Sequence, residues 1–495
     1  MNRPIQRVAI AVVVLFLLLL GNLTWVQVIH APALRASEYN KRSQIDTYSR
    51  QRGLILDAQG GVLAETIPSD GQFKYQRRYP AQPVEAYAPV TGFYGPHFGA
   101  GYGLEQTENA FLNGTDDRLF TQNFMDMFAG RDPRGGNIQT TIVPGLQTAA
   151  YEALADGSCN GPCRGAVVAL EPSSGKVLAM VSTPSYDPNV MATEDYPAAE
   201  ASWNQLKSEP SPLRNRAISE LYRPGSTFKV ITTAAALDDG VRPSIRLTSA
   251  ATWPLPGSST VLPNDGNPPR PCPEASGGTV TLAQAFKYSC NTAFGQLVTE
   301  KLPGDQFAVF TGTAMDFGVG ESPQGIPLPV AKSSVGELGG DKAALAQASI
   351  GERDVKLTVL QNAVNAATVA AGGIRMRPYL VDKYQSADLA TIHTESPSQL
   401  SKPLSAENAA TLTELMITAE QNSNGAQAGI ASKTGTTDPN ETGSAYAWYI
   451  AFKPGSNIAV AVMVENGTGG ADAYGGVIAA PIGRAVLNAS TGGNR

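Results

Sequence analysis

The sequence predicts an α+β protein: a five-stranded antiparallel sheet covered by helices with a helical subdomain, a smaller irregular α+β domain before it, and an apolar helix at the N-terminus. Three observations carry this. Two β-rich runs, "GAVVALEP" and "GKVLAMVS", adjoin at residues 165–182, and three more, "GIASKTGTT", "AYAWYIAFK" and "NIAVAVMVEN", stand together at 429–466. Helical patterns lie before, between and after these two strand blocks, the layering of a sheet covered by helices. A long uncharged apolar run opens the chain.

Val8 to Val28 is that run. At ~1.5 Å rise per residue its length crosses a ~30 Å hydrocarbon core. Arg3 and Arg7 precede it, Trp25 sits near its far end, and Arg35, Lys41 and Arg42 follow, so flanking charge orients it only weakly. Ala31–Ala33 ("APA") resembles a signal-peptidase site, but the span exceeds the usual ~7–15-residue apolar stretch of a leader, so an uncleaved anchor is expected. The reading is a cytoplasmic tail over 1–7, a transmembrane anchor over 8–28, a small non-catalytic domain over 29–136 and the main domain over 137–495, outside the cytoplasm.

In the small domain, "LILDAQGGVLAE" reads as a hairpin around Ala58–Gly61. Residues 67–136 are rich in Gly, Tyr, Phe and Pro with no long period. From Asn137 the pattern becomes regular: "VPGLQTAAYEALAD" is an amphipathic helix, and the strands at 165–182 join through Ser173-Ser174-Gly175. Residues 251–278 read as a proline-rich loop. "TLAQAFKYSCNTAFGQLVTEKL" reads as helical from after Thr281. Helices follow over 359–373 and 405–421, the second with Ser405 as N-cap, and around 479–489.

Composition narrows the function. A net charge of -6 on 495 residues argues against nucleic-acid binding. Four cysteines suit an exported protein. They allow three connectivities, of which the local pairs Cys159–Cys163 and Cys272–Cys290 are favoured. With three histidines, none beside these cysteines, a zinc site is disfavoured.

Three short motifs carry chemistry. In "RPGSTFK", Ser226 and Lys229 are i and i+3 at a helix start, so the amine can reach the hydroxyl. A serine needs a base to act as nucleophile, and a lysine becomes one when burial or a neighbouring cation lowers its pKa. A second S-x-x-K, Ser173 to Lys176, falls in the hairpin turn, where the two side chains share no helical face. In "YSCNTA", Ser289 and Asn291 sit at a junction of two helical stretches, a hydroxyl to relay a proton and an amide to hold a carbonyl. In "SKTGTT", Lys433 brings charge to a strand, Thr434 and Thr436 bring hydroxyls, and Gly435 leaves a gap in which a substrate backbone can lie close.

The set S-x-x-K, S-x-N, K-T-G, in that order on helix, loop and strand, is that of serine β-lactamases and penicillin-binding proteins. With "RGLILDAQGGVLA", "GYGLEQTENAFLNG", "NRAISELYRPGSTFK", "SIGERDVKLTVLQNA" and "ASKTGTT", the chain resembles, nearly end to end, a class B penicillin-binding protein, a monofunctional D,D-transpeptidase, and within that family the short PbpA-type enzymes of actinobacteria. Cys290 inside S-x-N is a departure that ties the motif to the preceding loop if it is oxidised.

The resemblance implies that Ser226 attacks the penultimate D-Ala of a peptidoglycan stem peptide and Lys229 takes its proton. It implies that Ser289, helped by Lys433, relays a proton to the leaving group. Asn291 orients the stem-peptide amide, Thr434 and Thr436 bind the terminal carboxylate, and the N–H groups of Ser226 and Thr436 form the oxyanion hole. It implies acylation by β-lactams, no metal or organic cofactor, and a separate membrane glycosyltransferase of the shape-elongation-division-sporulation family as partner. The rival readings are a D,D-carboxypeptidase or β-lactamase on the same fold, and a non-enzymatic β-lactam sensor or scaffold.

Overall fold

The computed structural model describes residues 3–30, 48–128, 130, 134–155, 159, 161–323, 325–437, 445–466 and 474–492. Ala31–Ala33, Arg35, Lys41 and Arg42 lie outside the described residues. Helix α1 (Arg3–Thr24) continues in a wider turn to Ile29. It buries nothing against the body, and among the described residues it is the one helix long and apolar enough to cross a membrane.

Strands β1 (Ile55–Leu56) and β2 (Val62–Pro68) pair antiparallel. Asp57 makes the turn between them, its Oδ1 accepting the N–H groups of Gln59 at 2.7 Å and Gly61 at 2.8 Å. Strand β3 (Tyr75–Arg78), helix α2 (Phe120–Phe128), strand β4 (Asn137–Thr140) and helix α3 (Pro144–Ala155) follow. The main part then adds β5 (Arg164–Leu170), β6 (Val177–Thr183), α4 (Lys229–Asp238), α5 (Leu282–Lys287), α6 (Asn291–Gln296) and α7 (Val359–Ala370). Strands β7 (Val381–Gln385) and β8 (Thr391–Thr394), helix α8 (Ala406–Gln421), strands β9 (Ala431–Thr436), β10 (Ala445–Phe452) and β11 (Ala459–Asn466), and helix α9 (Ala479–Gly492) complete it.

The main sheet has the order β9-β10-β11-β5-β6, antiparallel throughout. Its strands are apolar on both faces because helices cover both. Val167 and Ala169 of β5 pack with Leu146, Ala150 and Leu154 of α3 and with Ile482 and Val486 of α9. The alternate residues Ala166, Val168 and Leu170 join the larger core with Ala363 and Val364 of α7. The period of two in a strand produces this split. A second sheet, β8-β7-β4-β1-β2-β3, joins the N-terminal region to the late strands β7 and β8: β4 lies parallel to β1 and antiparallel to β7.

One element differs from the sequence reading. The proline-rich segment 251–278 contains a hairpin, Thr252–Pro254 with Val261–Pro263, in which Trp253 faces Leu262. Leu262 is buried, and both side chains close over Gly295 of the α6 helix, so apolar cover outweighs the prolines. The junction of the two helical stretches falls at Ser289 as read, but it is made by a left-handed residue, with a φ of 58°. The Thr281–Gln284 capping box starts α5, and α6 begins afresh at Asn291.

Candidate active site

Ser226 lies in a single 3₁₀ turn, Gly225–Phe228, that leads into α4. The turn is wedged between β9 and the segment around Gly351. Gly225 has φ +52° and donates its N–H to Gly351 O at 3.0 Å. On the other side Gly435 receives the turn, since a Cβ there would stand 2.8 Å from Pro224 O and 3.0 Å from Thr227 Cγ2. The side-chain gap left by Gly435 is taken by the Ser226 turn. The glycine matters because it lets the nucleophile's turn lie against the strand.

Lys229 is fully buried on the first turn of α4, and its Nζ is surrounded by oxygen. It lies 3.0 Å from Ser226 Oγ, 2.7 Å from Ser289 O, 3.0 Å from Ser289 Oγ and 2.7 Å from Asn291 Oδ1. Carbonyl and amide oxygens only accept, so these two take the N–H bonds of a neutral amine. The lone pair is then left for a hydroxyl proton. The Asn291 amide is held in this sense because its Nδ2 donates to Pro263 O at 3.0 Å, with Asp265 Oδ1 3.4 Å away. The left-handed backbone at Ser289 turns both its carbonyl and its hydroxyl toward Lys229. A non-glycine residue there costs on the order of 1–2 kcal/mol.

Lys433, buried on β9, reaches the same hydroxyl: its Nζ donates to Ser289 Oγ at 3.0 Å and to Thr434 O at 2.8 Å. Ser289 Oγ therefore bridges two lysine amines. Burial holds the Lys229 amine well below the usual lysine range, and the Lys433 ammonium pushes the same way, against Asp265 and Glu352. Burial lowers Lys433 to about 8, with Asp265 pulling it back. Both shifts favour the neutral amine, and at Lys229 the Lys433 ammonium adds to the effect of burial.

Thr434 and Thr436 alternate with Lys433 and so lie on the opposite face of β9. Thr436 Oγ1 accepts the Gly475 N–H at 3.1 Å, which leaves its own O–H to donate. Thr437 N–H is bonded to Tyr446 O at 3.1 Å. By the alternation of an antiparallel ladder, the Thr436 N–H then points away from β10, to the open edge of the sheet. Cys272 is bonded to Cys290, beside Asn291, and Cys159 to Cys163. The other S-x-x-K stays in its turn: Ser173 Oγ accepts from Asn457 Nδ2 at 2.6 Å, and Lys176 pairs with Asp382 at 3.0 Å.

Sequence reasoning missed several neighbours. Asp265 stands at the mouth, against the Asn291 amide. Arg223 pairs with Glu352 at 2.9 Å, fastening the residue before Pro224 to the Gly351 segment. Asn362 of α7 donates to Thr227 Oγ1 at 2.9 Å, just after the nucleophile. Periodicity marks none of these; the glycines at 225 and 351 are the local signal of a close backbone approach.

The chain matches the penicillin binding protein transpeptidase domain family over residues 165–488, and so belongs to that family of serine acyl-transferring proteins. Residues 52–138 match the penicillin binding protein A dimerisation domain. Among curated proteins it is 53% identical to the peptidoglycan D,D-transpeptidase PbpA of Mycolicibacterium smegmatis, covering 99% of both chains. It is 49% identical to the protein of the same name from Mycobacterium tuberculosis, covering 100% of both. Among solved structures it is similar to M. tuberculosis penicillin-binding protein A as the penicillin G acyl-enzyme, with a TM-score of 0.83 and 49% identity over 90% of this chain and 100% of that one. The imipenem acyl-enzyme of that protein gives a TM-score of 0.83 at 50% identity, over 90% of this chain and 100% of that one.

Proposed function

We propose that the chain is a peptidoglycan D,D-transpeptidase that works through a serine acyl-enzyme, with Ser226 as nucleophile. The observation that carries this is the Lys229 amine, buried, depressed in pKa and 3.0 Å from Ser226 Oγ. Ser226 Oγ attacks the carbonyl of the penultimate D-Ala while its proton passes to Lys229. The N–H groups of Ser226 and Thr436 receive the oxyanion. The C–N bond to the terminal D-Ala breaks. Its nitrogen takes a proton through Ser289, which the Lys433 ammonium polarises, and D-Ala leaves. The amine of a second stem peptide then attacks the ester, gives up a proton along the same relay, and frees Ser226 with a new amide crosslink. Asn291 orients the donor peptide, and the hydroxyls of Thr434 and Thr436, on the face of β9 away from Lys433, hold its carboxylate. A β-lactam takes the donor's place and stays on Ser226, as the acyl-enzyme structures of the M. tuberculosis relative support.

The organisation proposed with this is a tail over 1–7, a single-pass anchor over 8–28, a supporting domain over 29–136 and the transpeptidase domain over 137–495. The body then sits outside the plasma membrane beside a glycosyltransferase of the shape-elongation-division-sporulation family. The test is intact-protein mass spectrometry after penicillin, followed over time. An adduct of penicillin's mass that maps to Ser226 and persists for many minutes is expected. Rapid loss with steady turnover of penicillin would make the chain a β-lactamase and overturn the reading. D-Ala release from a donor peptide without crosslinking to an added acceptor amine would make it a carboxypeptidase.

A further inference from the structure

Helix α2 is built inside out. Three of its polar side chains face the protein: Gln122 Oε1 accepts the Ala387 N–H at 3.0 Å, Asn123 Nδ2 donates to Gly114 O at 2.6 Å, and Asp126 is buried 3.7 Å from Arg134. Four apolar side chains face outward, Phe120, Phe124, Met125 and Phe128 being 70%, 54%, 61% and 85% exposed. The three rings form a ladder, with centroids 6.3 Å and 6.0 Å apart. A surface helix of a globular domain turns its apolar stripe inward. At ~200 Å² per aromatic side chain the rings alone leave roughly 400 Å² to water, the size at which an exposed patch marks a contact surface. No other helix of the body, among the described residues, exposes three aromatic side chains.

The place of this face points to what covers it. Residues 31–47 join α1 to Tyr48, and at ~3.3–3.6 Å per residue they reach at most about 60 Å. Just past Tyr48, Gln51 O accepts the Gly135 N–H at 2.9 Å and Gly53 N–H donates to Leu112 O at 2.9 Å. The chain that leads from the apolar helix thus enters the body against both segments that bracket α2, so the aromatic face lies within the linker's reach of the bilayer. Among the described residues, the nearby cations are paired, Arg118 with Asp116 at 2.8 Å and Arg134 with Asp388 at 2.9 Å.

We propose that α2 lies in the plane of the membrane surface, its aromatic face immersed in the interface of the bilayer that α1 crosses. Apolar burial drives the contact, as for other in-plane amphipathic helices. With the described cations beside it, Arg118 and Arg134, in internal pairs, apolar burial is the main drive. Two attachments, α1 and α2, then fix the tilt of the body and the direction in which the Ser226 cleft faces. The proposal rests on the single-pass reading of α1.

The cysteines of the described chain are all in disulfides, so one introduced cysteine carries a unique label. The experiment uses the full-length chain in phosphatidylcholine vesicles, with Met125→Cys carrying an environment-sensitive fluorophore. Met315→Cys, on a residue 63% exposed elsewhere on the body, is the control. The label at 125 is expected to shift to the blue and to be quenched by shallow spin-labelled lipids, while the label at 315 reports water. Adding Phe124→Glu is expected to abolish both effects at 125 and to leave penicillin acylation of Ser226 intact. A label at 125 that behaves like the one at 315, in a chain that floats with the vesicles, overturns the contact alone. A chain that does not float overturns the anchor reading and this inference with it. Protection at 125 that disappears on dilution to one chain per vesicle assigns the face to a second copy and equally overturns the membrane contact.

Discussion

Lys433 gives the sharpest quantitative test of the site, through stability. Burial lowers its pKa from the usual 10.5 to about 8. Unfolding returns the amine to water and to its ordinary pKa. Between pH 8 and 10.5 the unfolded chain therefore binds the proton that the folded chain has lost, and stability rises with pH across this window. Below pH 8 both states are protonated, and the folded state carries the full penalty of a buried ammonium. At ~1.36 kcal/mol per pH unit that penalty is about 3 kcal/mol at pH 7 and under ~1 kcal/mol at pH 10. Replacing Lys433 with Met keeps the length and removes the charge. It also relieves Lys229 of a neighbouring cation, which acts in the same direction. With an unfolding entropy near 1 kcal/mol/K for a chain of this size, the Tm of the variant relative to the parent is expected to rise by roughly 2 °C from pH 10 to pH 7, on top of a pH-independent offset from the lost hydrogen bonds to Ser289 Oγ and Thr434 O. Differential scanning calorimetry of the two proteins at pH 7, 8, 9 and 10 reads this directly. A difference in Tm that stays constant across the series would refute the claim that the fold holds Lys433 out of water at a cost in stability.

Four further outcomes are expected. Ser226→Ala takes no covalent penicillin by intact mass, whereas Ser173→Ala is acylated like the parent; labelling that survives the first change removes Ser226 from the chemistry. The rate of Ser226 acylation rises with pH as the Lys229 amine loses its proton and falls again above about 8 as Lys433 discharges; stopped-flow rates that stay level from pH 7 to 9.5 would contradict the assignment of the two lysines. Gly435→Ala pushes a Cβ to 2.8 Å from Pro224 O and is expected to slow acylation at least ~10-fold, the scale on which small misplacements of a catalytic group act, while the denaturation midpoint moves little; unchanged kinetics would show that the turn yields. Peptide mapping without reductant returns Cys159 linked to Cys163 and Cys272 linked to Cys290, and recovery of free thiols would count against the pairs.

The sheet was readable because each strand announces itself. "AVVAL" and "YAWYIAF" are apolar on both faces, as strands covered on both sides must be, and Gly-, Ser- or Pro-containing turns separate neighbours. Helix α8 was readable from its cap, with Ser405 Oγ accepting the Asn408 N–H at 3.1 Å. The junction at Ser289 was placed through its motif, but its left-handed backbone was not legible. Leu282 to Lys301 keeps a helical composition straight through it, and nothing local demands a left-handed residue. The Trp253–Leu262 hairpin was hidden for a related reason. Its prolines lower local strand preference, while the apolar cover it supplies for α6 is visible only once the two segments meet. Pairing β4 with β7 joins residues some 240 apart, beyond any local pattern.

The active site divides along the same line, and Gly435 shows where. The three motifs could be ranked because each is a local pattern whose parts must share a face or a strand. Ser226 and Lys229 meet at i and i+3, and Ser173 and Lys176 do not because a turn lies between them. What the motifs leave out is the packing that sets the distance between them. Gly435 was read as room for a substrate because a bare Cα on a strand leaves space. A sequence cannot say which neighbour fills that space, and here it is the Pro224–Thr227 turn. The same turn is gripped from behind by Gly351 and from the side by Asn362. The oxygen of Ser226 is therefore placed by backbone contacts with two distant segments, and the lysine, whose Nζ hydrogen-bonds to oxygens of the motif residues, is poised against it. A substitution at Gly225, Gly351 or Gly435 would move the nucleophile while leaving every motif side chain in the sequence, which is why motif matching alone identifies the chemistry but not the geometry that makes it fast.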